Sequence, residues 1–415
     1  MVLFRGVRVR VKAMKVNALF QLGLLVFWGV GCGSPRTGLE TTPPVPQVTS
    51  EVTPDATLDL TPKMSFLMFS GKSAYDRGEF EKALKIFADA LADESGDRDR
   101  KWREEAYVHF AIHRTCKKLK QHAKSFRHLK TAQAIWLLRL GPKHPAIADT
   151  HLDMAAEYGR HGDFAKQREY LFFALPICIE HGGPVHAKVI GIYQNLGQSY
   201  QHTGNFGRAM MYHQTQLISI RQLNGQKHPS MIAACNDLAM TFQAQGHFAK
   251  SMELMEKAVT LAEETQPPKE FIHWLLKCNM AAIHLEQPEP DIVKVKDYLD
   301  RAEVACRQTG FNPNNDEYPH PIRFNRARLL LLQKDYKKAL TLFKATQKET
   351  LKRHGTSHPH IALAWYFEAC AQEGLGNEVE AKALYHKAHG IQLSIMLPTH
   401  PHLMKTKAAL EKLGE

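Results

Sequence analysis

A segment of 42 residues, HAKVIGIYQNLGQSYQHTGNFGRAMMYHQTQLISIRQLNGQK at 186–227, returns along the chain with its landmarks at fixed spacing. A period of that length admits two helices and two turns, and neither helix can bury its apolar face alone. Each copy shows a helical pattern carrying Asn195, Leu196-Gly197 and Tyr200. A turn follows at Gly204-Asn205-Phe206, and a second helical pattern carries Ala209. Advancing by 42 places copies near 60, 102, 144, 186, 228 and 270 and, after one insertion of four, near 316, 358 and 400.

The landmarks have physical reasons. His-Pro opens copies at His144-Pro145, His228-Pro229, His358-Pro359 and His400-Pro401, with weaker versions at Thr61-Pro62 and Pro184. Proline suits a first helical position, where its missing N–H removes no intrahelical bond. Eighteen residues on stand Gly78, Gly162, Gly204, Gly246 and Gly376, predicting a left-handed helix stop at each tight turn. Lys120 and Pro288 replace this glycine in copies two and six. Small residues recur at Ala83, Ala209, Ser251, Ala339 and Ala381, and seven residues later at Ala90, Ala174, Ala258 and Ala388, predicting close helix approach.

The Leu196-Gly197 and Leu238-Ala239 pairs, the aromatics Tyr158, Tyr200 and Phe242, and the Gly-x-Phe turn with its alanines resemble the tetratricopeptide repeat. The length resembles the 42-residue version found in kinesin light chains and many bacterial repeat proteins. The resemblance spans 60–415. It implies an all-α fold, a right-handed α-solenoid of about eight helix pairs over 62–415 with a capping helix at 400–415. A solenoid grows by adding layers, so 415 residues need no second core.

Residues 1–31 are basic and then apolar, with about 14 apolar residues running to Cys32. That is short of the roughly 20 that span a bilayer and reads as a signal peptide. Met14-Lys15 is the more natural start. Val30-Gly31-Cys32-Gly33-Ser34 resembles a bacterial lipoprotein cleavage site, which implies lipidation of Cys32 and a membrane-anchored place in the cell envelope. An uncleaved anchor is the competing reading. Residues 32–61, rich in Pro and Thr, are expected to form a disordered tether.

The formal charge of +12 falls to about +7 without residues 1–31. Much of the rest lies in copy two, where Lys117, Lys118, Lys120, Lys124 and Arg127 flank the inter-helix turn. Such a patch suits acidic protein, although a solvated outer face is the plainer explanation. No aromatics interleave the basic run, so nucleic acid is not an expected partner. Cys116, Cys178, Cys235, Cys278, Cys306 and Cys370 are expected as buried hydrophobes, a usage that argues mildly against an oxidising compartment.

No catalytic constellation is legible. Gly71-Lys72-Ser73 ends like a phosphate loop but has Phe66 where the first glycine belongs. His109, His113 and Cys116 share a helix face without a fourth ligand, and His354, His358 and His360 read as turn caps, so no metal or other cofactor is expected. Neither an enzymatic activity nor a small-molecule substrate is expected. What remains is a polar column nine residues into each copy: Asp153, Asn195, Asp237, Asn279 and Asn325, flanked by Gln198, Gln201 and Arg328.

In the tetratricopeptide family that helix lines the concave surface, and matching asparagines in kinesin-light-chain-like repeats contact the backbone of an extended peptide. The resemblance thus implies a protein-binding scaffold whose partner is a protein or peptide segment. Two alternatives stay open: the column bonds neighbouring helices and fixes the superhelix, or a cytosolic adaptor recognises acidic partners through the basic second copy.

Overall fold

Seventeen helices in succession account for the described residues, 62–92, 98–264, 270–308 and 319–414, of the computed structural model. The expected signal segment, the tether and Cys32 lie outside them. The pairs are α1 (Pro62–Asp76) with α2 (Phe80–Ala92), α3 (Arg98–Lys118) with α4 (His122–Leu140), and α5 (Pro145–Arg160) with α6 (Phe164–Gly182). Next come α7 (Ala187–Thr203) with α8 (Phe206–Asn224), α9 (Ser230–Ala244) with α10 (Phe248–Glu264), and α11 (Glu270–Glu286) with α12 (Ile292–Gln308). The last pairs are α13 (His320–Leu332) with α14 (Tyr336–His354) and α15 (Pro359–Gly374) with α16 (Glu378–Ile395), before the single α17 (Pro401–Lys412). Eight pairs and a terminal helix are what the period predicts. No described helix is long and apolar enough to cross a membrane.

Each turn inside a pair is built from three residues with separate tasks. Gly204 stops α7 at φ +86°, a conformation that costs a residue with a Cβ about 1–2 kcal/mol. Asn205 then caps α8 by accepting Arg208 N–H, as Asp163 does for Lys166 and Asp335 for Lys338. Phe206 is the first residue of α8. Lys120 and Lys334 adopt the same left-handed backbone, at φ +59° and +63°, despite their side chains. At Pro288 the turn loosens, and Asp291 caps α12 instead. The starts are capped as well: the imidazole Nδ1 of His144, His186, His228, His358 and His400 accepts the N–H two residues on.

Small residues sit where helices close on each other. Ala83, Ala209, Ser251, Ala339 and Ala381 are fully buried, as are Ala174, Ala258 and Ala388. Cys116, Cys178, Cys235, Cys278 and Cys306 are buried and Cys370 is half-buried, and none of the six is in a disulfide among the described residues. Burial pushes the Cys278 thiol up to about 12, so it behaves as a small apolar group.

The superhelix returns on itself with a constant offset. Leu397 N–H donates to Thr203 O at 2.8 Å, and His354 Nδ1 lies 3.4 Å from Arg160 O, each pair 194 residues apart. Phe164 meets His358, and Phe206 meets His400, at the same separation, with ring centroids 5.8 and 5.7 Å apart. The inner turns of the third and fourth pairs therefore meet the starts of α15 and α17. About four and a half pairs thus complete one superhelical turn, and the next turn stacks on it. Gly162 is buried in this seam, where an added Cβ would lie 2.7 Å from Ser357 O.

Candidate functional site

The polar column runs along the first helices, and its residues tie α3 to α5, α7 to α9, α9 to α11 and α11 to α13. Asp153 on α5 accepts Lys117 Nζ of α3 at 2.8 Å and lies 3.3 Å from His113 Nε2. Asp237 on α9 accepts Gln194 and Gln198 of α7 at 2.7 and 3.3 Å, and Thr241 of α9 donates to Gln201 of α7 at 3.0 Å. Asn279 on α11 donates to Asn236 of α9 at 2.7 Å, and Gln243 of α9 donates to Ala282 O of α11. Asn325 on α13 donates to Cys278 O of α11 at 3.1 Å, and Arg328 of α13 pairs with Glu286 at the end of α11. Lys405 of α17 reaches the same Glu286 at 2.7 Å.

Burial divides the column. Asp237, Asn325 and Arg328 are buried, and Arg328 also lies over the Phe367 ring at 4.7 Å. Asn195, Gln198, Gln201 and Asn279 are half-buried. Asn195 makes one bond, from Nδ2 to Gly191 O of its own helix at 2.7 Å. Its Oδ1, the Oδ1 of Asn279 and the Nε2 of Gln201 have no bond among the described residues.

The charges follow from these contacts. Burial opposes ionisation of Asp153, yet the His113 bond and the Lys117 charge outweigh it and hold the carboxyl at about 2. Burial likewise opposes ionisation of Glu286, and Arg328, His402 and Lys405 bring it down to about 2. Asp237 moves the other way: burial pushes its carboxyl up, against the pull of His213 and its amide donors.

The basic patch separates in the same manner. Lys117 is tied to Asp153, whereas Lys118, Lys120 and Arg127 are exposed and Lys124 is half-buried, none with an ion pair among the described residues. Gly71-Lys72-Ser73 lies inside α1, where Lys72 pairs with Asp76. His109, His113 and Cys116 turn to different partners, His128, Ser125 with Asp153, and Gln121. Among the described residues the histidines that do converge are His354, His358 and His360, with ring nitrogens within 4.8 Å of one another. Their spacing in sequence matches turn capping, which His358 also performs, so sequence alone gave no reason to group them.

Residues 188–264, which include α8 to α10, match the family model described as Tetratricopeptide repeat. No curated protein matches the chain. Among solved structures, aspartyl phosphate phosphatase F from Bacillus subtilis is similar over 83% of this chain and 96% of that one, at 11% identity and a TM-score of 0.57. A Rap protein complexed with Competence and Sporulation Factor is similar over 85% and 97%, at 10% identity and a TM-score of 0.51. At such identities these likenesses concern the fold. Residues 188–264 thus carry tetratricopeptide repeats, and the same helix-pair repeat continues on both sides of them in one α-solenoid.

Proposed function

We propose that this solenoid is a non-catalytic scaffold that binds an extended segment of another protein along its first-helix column. One observation carries the reading: after the ladder is built, half-buried Asn195, Gln201 and Asn279 keep polar atoms that bond nothing among the described residues. A carboxamide offers both donors and an acceptor, so it can answer the N–H and C=O of a peptide of any sequence. Asp153, Asp237, Asn325 and Arg328 serve the same face by holding successive first helices in register. The Rap neighbour was solved with Competence and Sporulation Factor bound, so a ligand complex on this fold has a precedent.

The test uses peptides selected from a displayed random library against the full chain. Asn195→Ala with Asn279→Ala is expected to weaken the selected peptides about tenfold or more, since lost hydrogen bonds of about 1 kcal/mol each add across two rungs. Circular dichroism must show the fold intact. Unchanged affinity in that folded variant contradicts the reading.

The exposed cations Lys118, Lys120 and Arg127 favour a second reading, an adaptor for acidic partners. Under it the library yields acidic peptides whose binding collapses with added salt. Localisation separates the two further. We propose that the chain is exported and held on the membrane by lipid at Cys32. Intact mass of the mature chain is then expected to start at Cys32 with added acyl chains, lost in Cys32→Ala; a full-length unmodified mass contradicts it.

A further inference from the structure

We propose that His354, His358 and His360, with His202 as a fourth ligand, form a binding site for a divalent transition-metal ion of the Zn²⁺ type, stapling one superhelical turn to the next. Three imidazoles come from the junction of α14 and α15, and the fourth from the end of α7 on the other side of the seam. One ring nitrogen from each of the three lies within 4.8 Å of the others. The His202 ring stands 5.5 Å from that of His360 and 5.8 Å from that of His358, centroid to centroid.

A tetrahedral ion with Zn–N of about 2.0–2.1 Å wants its ligand nitrogens roughly 3.3 Å apart. The rings must therefore close by about 1.5 Å, a movement within reach of side-chain rotation at the exposed His360. His354 has a carbonyl partner for its other ring nitrogen. Its Nδ1 faces Arg160 O at 3.4 Å, and a ring that donates Nδ1–H to a carbonyl presents its Nε2 lone pair, the usual outer bond of a metal-bound histidine.

His358 requires an exchange. Without metal its Nδ1 accepts His360 N–H as the cap of α15, at 3.1 Å. Coordination through Nε2 moves its proton to Nδ1 and removes that one cap bond, against three or four metal–nitrogen bonds gained.

The surroundings suit a cation. None of the three clustered rings pairs with a carboxylate among the described residues. The nearest cations, Arg160 and Arg353, are committed to Glu157 and Glu349. Packing alone accounts for one or two such rings, and a phenylalanine would serve as well. Three converging imidazoles, with the ring of a fourth 5.5 Å away across the seam, are better accounted for by a shared ligand.

The experiment titrates the untagged full chain with ZnCl₂ by calorimetry, and with CoCl₂ to read nitrogen coordination from its visible spectrum. One ion per chain is expected at micromolar or tighter affinity. His354→Ala with His360→Ala is expected to weaken binding at least tenfold. His358→Asn keeps a cap acceptor while removing the imidazole, and should weaken it comparably in a chain that circular dichroism shows to be folded. Zn²⁺ should raise the Tm of the native chain and leave that of the variants unmoved. Equal affinity in folded variants, or no stoichiometric binding to the native chain by about 100 μM, overturns the site; weak multiple binding shared by all variants would mark scattered surface histidines and overturn it as well.

Discussion

Gly162→Ala is expected to cost about 2–5 kcal/mol and to part the two superhelical turns, whereas Gly246→Ala should cost only about 1–2. Both glycines hold left-handed backbone, at φ +82° and +77°. A methyl at 246 meets nothing within 4 Å, so that variant reports the backbone cost alone. At 162 the methyl would stand 2.7 Å from Ser357 O and 3.2 Å from His358 Cα, backbone atoms that cannot swing aside. The excess of the first variant over the second therefore measures the seam. Hydrogen exchange supplies a local reading, because the Leu397 amide is protected by Thr203 O from the opposite turn. Equal costs and an unchanged Leu397 amide would mean that the turns do not stack in solution.

Glu286→Ala is expected to cost about 3–5 kcal/mol, because it strands the buried guanidinium of Arg328 and releases Lys405 of α17. The ladder would lose its joint between α11, α13 and the terminal helix. Acid should reproduce part of the effect. A carboxyl held at about 2 in the fold and at its ordinary 4.5 when unfolded contributes stability that is fully present above 4.5 and lost as pH falls toward 2. Urea titrations at pH 7, 4 and 3 are therefore expected to show the native chain weakening on acidification more steeply than the Glu286→Ala variant. Parallel pH profiles would remove Glu286 from the account.

How much of this was legible in sequence depends on the range of the contact. Gly204-Asn205-Phe206 could be read at sight because each residue acts on its own turn, and the alanine columns because they repeat. A second glycine column repeats as well: Gly141, Gly183, Gly225 and Gly355 end second helices at φ between +78° and +86°. The seam had no such signal. Its pairs stand 194 residues apart, neither a multiple of 42 nor a motif, and the offset follows from how far each pair rotates against the last.

The polar column was legible as a pattern but not as a division of labour. The same position carries Asn195, bonded only to its own helix, and Asn325, buried against Cys278 O. Which of these is left able to meet a ligand depends on the neighbouring helix rather than on the residue type. The same holds for Lys117 and Lys118, adjacent in sequence, of which only the first finds Asp153.

The most direct test of the scaffold reading is hydrogen exchange of the full chain with and without a library-selected peptide. Protection is expected to rise along the first helices at 195–201, 236–243 and 279–283 and to leave α8, α10 and α12 unchanged. Protection confined to 117–127, or spread over the second helices, would place the ligand elsewhere and contradict the account.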